Sequence, residues 1–156
     1  GQESRIKDIQ VGGVSVSSAK AAHSVTLPLH DAIAISRGDM IARVNNAPKP
    51  SQDIDAMICW MTNEPLRPRQ KLAIKHTTRT GRALVKTIQY RLDVNTLHRD
   101  VDSNELGLNE IGRVQLRTTV PLLCDPYSKN RTTGSFILID EATGVTVGAG
   151  MINASS

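Results

Sequence analysis

Aromatic side chains are scarce: one Trp, two Tyr and one Phe among 156 residues. With 39% hydrophobic residues overall, a core has to be assembled from Ile, Val, Leu and Met. Long apolar runs are missing too. No stretch approaches the roughly 18 residues that a membrane-spanning helix needs. The opening Gly1-Gln2-Glu3-Ser4-Arg5 lacks the apolar segment of a signal peptide. Only two cysteines occur, Cys59 and Cys124, far apart and outside any CxxC pair. Two reduced thiols in a cytoplasmic protein fit this better than a disulfide does. The glycosylation patterns at Asn130-Arg131-Thr132 and Asn153-Ala154-Ser155 carry no weight without secretion. The same holds for the adhesion-type triplet Arg37-Gly38-Asp39.

Recognisable catalytic apparatus is also wanting. No phosphate-binding GxxxxGK[ST] loop is present, and Gly12-Gly13 followed by Lys20 has the wrong spacing. His23, His30, His76 and His98 have no partners at metal-ligand spacing. Asp93, Asp100, Asp102 and Glu105 share one polar stretch. They lack the tight ligand spacing and turn glycine of a metal loop, so a solvated surface is expected there. No Ser/His/Asp arrangement can be assigned from spacing. The residues by themselves describe a binding or scaffold module.

What is present is strand pattern and uneven charge. Net charge is +4, from 19 basic and 15 acidic residues. Between Leu66 and Arg91 lie Arg67, Arg69, Lys71, Lys75, Arg79, Arg82, Lys86 and Arg91, with no acid among them. Such a run suits phosphates, an acidic partner surface or a solvated strand face. Alternation predicts a strand at Asp53–Thr62 with Ile54, Ala56, Ile58 and Trp60 on one face. It predicts another at Lys71–Thr77 with Leu72 and Ile74 inward, after a loop with two prolines. Arg82–Leu92 reads as a longer strand with Leu84, Ile88, Tyr90 and Leu92 on one face. Gly112–Val120 reads as a strand with Val114, Leu116 and Thr118 inward. Asp93–Asn109 and Pro121–Gly134 read as polar connections, the former with room for one helical turn. Phe136–Ile152 closes the chain as a hairpin bent at Thr143-Gly144. Its glycines at alternate positions, Gly148 and Gly150, predict a seam where something approaches the backbone closely.

About six strands at this spacing, with no helix-period segment, predict an antiparallel β-barrel over 53–152. Before it, Arg5–Val11, the Gly12-Gly13 turn, Ser24–Leu29 and the stretch Ile35–Ile41 give three or four short strands. A sheet that small cannot bury a core alone. Residues 1–46 are therefore expected to be the C-terminal part of a second β-barrel whose remainder lies upstream. Residues 47–52, polar and carrying two prolines, read as the linker. Residues 153–156 read as a tail or the start of a further linker.

Several motifs carry a resemblance. They are Ile35-Ser36-Arg37-Gly38-Asp39-Met40-Ile41, Cys59-Trp60-Met61, Lys75-His76-Thr77-Thr78-Arg79-Thr80 and Tyr90-Arg91-Leu92-Asp93-Val94-Asn95-Thr96-Leu97. Leu108-Asn109-Glu110-Ile111-Gly112-Arg113-Val114, Asp125-Pro126-Tyr127 and the closing hairpin complete the set. The first motif and the hairpin resemble elongation factor Tu-like GTPases. The whole set resembles the large, GTP-binding subunit of bacterial sulfate adenylyltransferases. That resemblance implies an all-β chain: part of a domain 2-like barrel followed by a domain 3-like barrel. It implies a parent protein that couples GTP hydrolysis to the synthesis of adenosine 5'-phosphosulfate and pyrophosphate from ATP and sulfate. GTP and Mg²⁺ would sit in a GTPase domain outside these residues, so no catalytic residue, cofactor site or metal site is expected within them. The implied partners are the small catalytic subunit, the chain's own GTPase domain and, in some members, a fused adenylylsulfate kinase domain. Neither a membrane nor a nucleic acid is expected as a partner. The expected contact surface is the basic face (Lys75, His76, Arg79, Arg82) and the Arg91–Asn95 turn, with Arg91, Asp93 and Asn95. The competing expectation is the RNA-binding barrel of a translation-type GTPase, which would use the same basic run; a free-standing barrel is the third.

Overall fold

The computed structural model describes residues 1–153, in two compact units, Gly1–Ser36 and Arg37 onward. The tail expectation for 154–156 lies outside the described residues.

The first unit holds three two-residue strands: β1 (Gln10–Val11), β2 (Val14–Ser15) and β3 (Val25–Thr26). They form an antiparallel sheet in the order β2-β1-β3. Gly12 and Gly13 make the β1–β2 turn, at φ of 59° and 82°, which glycine adopts freely. The strand expected over Arg5–Val11 is broken. Ile6 bridges Leu29, but the Asp8 carboxylate then accepts from the Ile9 amide (2.8 Å), the Gln10 side chain (2.8 Å) and the Ser15 hydroxyl (2.5 Å). An aspartate that binds its own neighbours offers the backbone an alternative to the ladder.

The second unit is built on β4 (Lys49–Trp60). Period-two alternation puts Ile54, Ala56, Ile58 and Trp60 inside, all buried. Then follow β5 (Lys71–His76), β6 (Arg79–Leu92), β7 (Arg99–Asp100), β8 (Ile111–Cys124), β9 (Ser135–Ile139) and β10 (Thr146–Ile152). The ladder runs β5-β9-β10-β4-β8-β6, and β6 pairs with β5 to close it. This is a six-stranded antiparallel barrel, with β7 added on β6, and closure leaves its own strands no free edge. Leu72, Ile74, Val85, Val114, Leu116, Leu122, Phe136 and Leu138 complete an almost wholly aliphatic core. Trp60 is its largest member, with its indole N–H donating to the Glu64 carbonyl at 2.7 Å.

The closing hairpin shows why glycine sits where it does. A Cβ on Gly150 would lie 2.2 Å from the Phe136 ring. One on Gly148 would lie 3.1 Å from the Trp60 ring. The two large aromatics of the core pack flat against backbone, as the alternate glycines predicted. A register shift between Thr146 and Gly148 puts Val147 and Gly148 both inside and leaves Val145 exposed.

The structure departs from the expectations at several further places. The stretch 47–52 is only partly a connection. Lys49, Pro50 and Ser51 already pair with Cys124, Leu123 and Leu122. Proline is tolerated at the start of a strand, and Leu122 needs this cover to be fully buried. At Gln52 the ladder breaks, and its side-chain amide donates instead to the carbonyls of Thr118 (3.2 Å) and Thr119 (3.3 Å). In the same way β8 runs on through Pro121 to Cys124, where a polar connection was expected. The compact-unit boundary falls at Ser36/Arg37. Leu84 and Tyr90 do not share a face with Ile88. Ala83 and Val85 are the inward pair and Leu84 is 37% exposed. Register shifts between Val85 and Thr87 and between Ile88 and Tyr90 flip the strand twice. Ile88 therefore packs on the core, while the Tyr90 hydroxyl reaches Met57 Sδ at 3.7 Å on the outer side. Finally, the 93–109 connection carries a core residue. Leu106 is fully buried and exchanges two backbone hydrogen bonds with Leu66, at 2.9 and 3.1 Å.

Candidate interaction surfaces

The seven residues expected at a contact surface separate into two groups at opposite ends of β6. From Arg79 to Arg91 is twelve residue steps, about 40 Å at the rise of a strand.

The first group lies at the β5–β6 hairpin. Thr77 turns the chain at φ 53°, with its hydroxyl donating to the His76 carbonyl at 2.7 Å. Lys75 is exposed on β5 and pairs across to Thr80. Arg79 is half-buried beside Gly38, whose Cβ would lie 3.8 Å from it. Arg82 is exposed and salt-bridged to Glu141 at 2.8 Å. Lys86 and Arg117 both pair with Asp53. Among the described residues, no salt bridge engages Lys71, Lys75 or Arg79. His76 does not belong to this surface. Parity on β5 turns it inward with Leu72 and Ile74; it is 1% exposed, and its Nε2 lies 2.8 Å from the Thr133 carbonyl.

The second group lines a cleft of about 470 Å³ where β6, β7 and β8 meet. Arg91 is its strut. One guanidinium nitrogen donates to Glu110 at 2.8 Å and another to Asp100 at 2.8 Å. Glu110, foremost, and Asp100 hold the guanidinium above its ordinary pKa. The other Glu110 oxygen accepts the Gly107 amide at 2.7 Å, so one arginine ties β6, β7 and the turn before β8 together. Arg91 thus pairs with Asp100 and Glu110, and Asp93 has a different task. The Asp93 carboxylate accepts the amides of Asn95 (2.8 Å) and Thr96 (3.1 Å). These bonds, the Asn95 amide first, lower its pKa. Its own backbone bonds Leu97 and His98, at 2.8 and 3.0 Å. Asn95 is exposed at the tip. Arg99 lies over the Tyr90 ring, 5.0 Å from its centre.

Sequence reasoning did not find the Arg91 triad, because its three members lie 9 and 19 residues apart. It also did not find a bidentate pair on the outer face. Arg113 donates to Asp55 at 2.9 and 2.7 Å, and Asn153 joins at 3.0 Å. The signal there is the register itself, which sets Asp55 two positions from Arg113 across β4 and β8. Among the described residues no cluster of His, Cys, Asp and Glu could hold a metal ion. Among the described residues no helix is long and apolar enough to cross a membrane.

Residues 53–153 match the GTP-eEF1A C-terminal domain-like family. The bifunctional enzyme CysN/CysC of Mycobacterium tuberculosis H37Rv is 52% identical over 97% of this chain and 25% of its own length. Sulfate adenylyltransferase subunit 1 of Alteromonas mediterranea is 43% identical over 97% of this chain and 32% of its own. The chain thus spans about a quarter to a third of these relatives. A crystal structure of Sup35 complexed with GDP superposes on 98% of this chain and 38% of its own, with a TM-score of 0.77. At 16% identity that likeness concerns the fold.

Proposed function

The chain belongs to the GTP-eEF1A C-terminal domain-like family, and on that premise we propose that it is the C-terminal barrel region of a sulfate adenylyltransferase subunit 1. The observation that carries this is similarity to proteins of that name across 97% of the chain. In this reading the whole protein hydrolyses GTP to drive formation of adenosine 5'-phosphosulfate and pyrophosphate from ATP and sulfate, in the cytoplasm. GTP and Mg²⁺ are held by a GTPase domain outside these residues, and adenylyl transfer takes place on a small catalytic subunit. A fused adenylylsulfate kinase, suggested by the CysN/CysC relatives, is compatible with it.

The part played by these residues is positioning rather than chemistry. The barrel offers a rigid, closed frame with one basic end (Lys75, Arg79, Arg82) and one cleft (Arg91, Asp93, Asn95). Two surfaces at opposite ends of one strand suit a body that touches two neighbours and transmits the state of one to the other. The test is pyrophosphate release from ATP and sulfate by the full polypeptide with its small subunit. GTP is expected to raise it, and a non-hydrolysable GTP analogue is not. Equal rates with both nucleotides would overturn the reading.

The basic residues Lys71, Lys75 and Arg79, which no salt bridge engages among the described residues, favour one competitor, an RNA-gripping barrel. The aromatics oppose it: Trp60 and Phe136 are buried, Tyr90 lies under Arg99 and the half-buried Tyr127 under Arg131, so bases have little to stack on. RNA binding that weakens steeply with salt would support the competitor.

A further inference from the structure

The connection 93–109 puts leucine where leucine is doubly unfavourable. Leu97 has φ of 58°, a left-handed region that is strained for a branched side chain. It is also 71% exposed. Asp93 imposes this geometry, because its backbone and carboxylate together fix residues 95–98. A folded chain that presents an aliphatic side chain to water from a hydrogen-bonded backbone turn has the form of a binding anchor, with the backbone's ordering cost already met. Three more exposed aliphatics surround the same cleft. Val94 lines it, Val101 follows the lining residue Asp100, and Leu108 precedes the lining residue Asn109. Asp93, Asp100, Asp102, Glu105 and Glu110 give the region five carboxylates against Arg91, Arg99 and Arg67, the last paired with Glu105 at 3.0 Å. The surface is therefore apolar and acidic, the opposite of the β5–β6 end.

We propose that this Leu97 ridge is the surface on which a separate polypeptide docks, through an apolar recess rimmed by Lys or Arg. The proposal rests on the reading above, in which that polypeptide is the small catalytic subunit, and it assigns the basic β5–β6 end to the chain's own GTPase domain. Contacts between domains of one chain are kept at high effective concentration by the linker, so a polar, charged face serves them. A separate chain has to be captured from solution, and that needs a few desolvated apolar anchors inside a charged rim. Phosphate partners are disfavoured at the ridge, since its carboxylates would repel them.

The experiment measures affinity of the full polypeptide for the small subunit by calorimetry. The first variant is Leu97→Asn, because asparagine accepts positive φ and removes the anchor without straining the turn. The second is Leu97→Asn with Leu108→Ser, and the control is Lys75→Ala with Arg79→Ala. The expected result is affinity at least tenfold weaker for the ridge double variant, an intermediate loss for the single variant, and a control within twofold of wild type. Ridge variants within twofold of wild type would overturn the proposal, as would a control that loses as much as the ridge. If wild type itself fails to bind the small subunit, the functional reading falls too; wild-type binding that survives both ridge variants sinks only the ridge.

Discussion

Gly150 sets the packing of the barrel interior at the scale of single residues. Its missing side chain is the space the Phe136 ring occupies. Gly150→Ala is expected to cost about 1–3 kcal/mol through overpacking, read as a lowered midpoint in urea. The second half of that prediction is recovery. Phe136→Leu makes room, so the double variant is expected to lose less than the two single losses added together. Strict additivity would mean that the ring and the glycine do not meet. Arg91 makes a different kind of contribution. Its two salt bridges are about 40% exposed, so each is worth at most about 1 kcal/mol. Arg91→Gln should therefore lower global stability by about 2 kcal/mol at most. Its larger expected effect is local: faster amide exchange across Asp93–Gly107, with the core of β4 unchanged. Uniform acceleration in both places would show that the triad supports the whole barrel.

Two outer elements are fastened by carboxylates, and they make the pH dependence specific. Asp55 is held below its ordinary 3.8 first by the Arg113 hydrogen bond. Asp125, in the connection after β8, is held below 3.8 first by the Lys129 bond, with Thr133 assisting. In both, the folded carboxyl takes up a proton less readily than the unfolded one. Their stabilisation is thus present above 3.8 and lost as pH falls through the lower folded values. Asp55→Asn and Asp125→Asn are expected to lower Tm at neutral pH, and the difference from wild type is expected to shrink as pH falls below 3.8. A difference that persists undiminished into acid would contradict this. At the same scale, the sequence was legible wherever one face of a strand is buried throughout. β4 and β5 declare their inward residues by parity, and the alternate glycines of β10 announced the aromatic rings that press on them. Bulges defeated the same reasoning on β6, because a single extra residue inverts every later side chain and leaves no mark in composition. Pro50 and Pro121 looked like linker punctuation. They are strand residues here, since Gln52 replaces the ladder bonds that the break beside them removes. Leu106 was hidden by the acids around it, and its partner Leu66 lies 40 residues earlier.

For the molecule, the useful result is a division of surface. The expected contact residues were legible as a charge run and as a distinctive Tyr90–Leu97 stretch. That they occupy opposite ends of one strand was not, because distance along β6 matters only once the barrel is closed. His76, drawn into the group by its neighbours in sequence, belongs to the interior. The remaining six divide between a basic end and an acidic, apolar cleft, and a body with two such ends is suited to linking two partners. The chain spans only about a quarter to a third of its relatives, so this claim is tested on the full polypeptide. The most direct measurement is the GTPase rate of that polypeptide with and without its small subunit, ATP and sulfate. The account predicts that the complete mixture raises GTP turnover at least tenfold and that the Leu97→Asn/Leu108→Ser variant loses that rise while keeping its basal rate. A GTPase rate indifferent to the small subunit would contradict the central claim that this barrel couples the two.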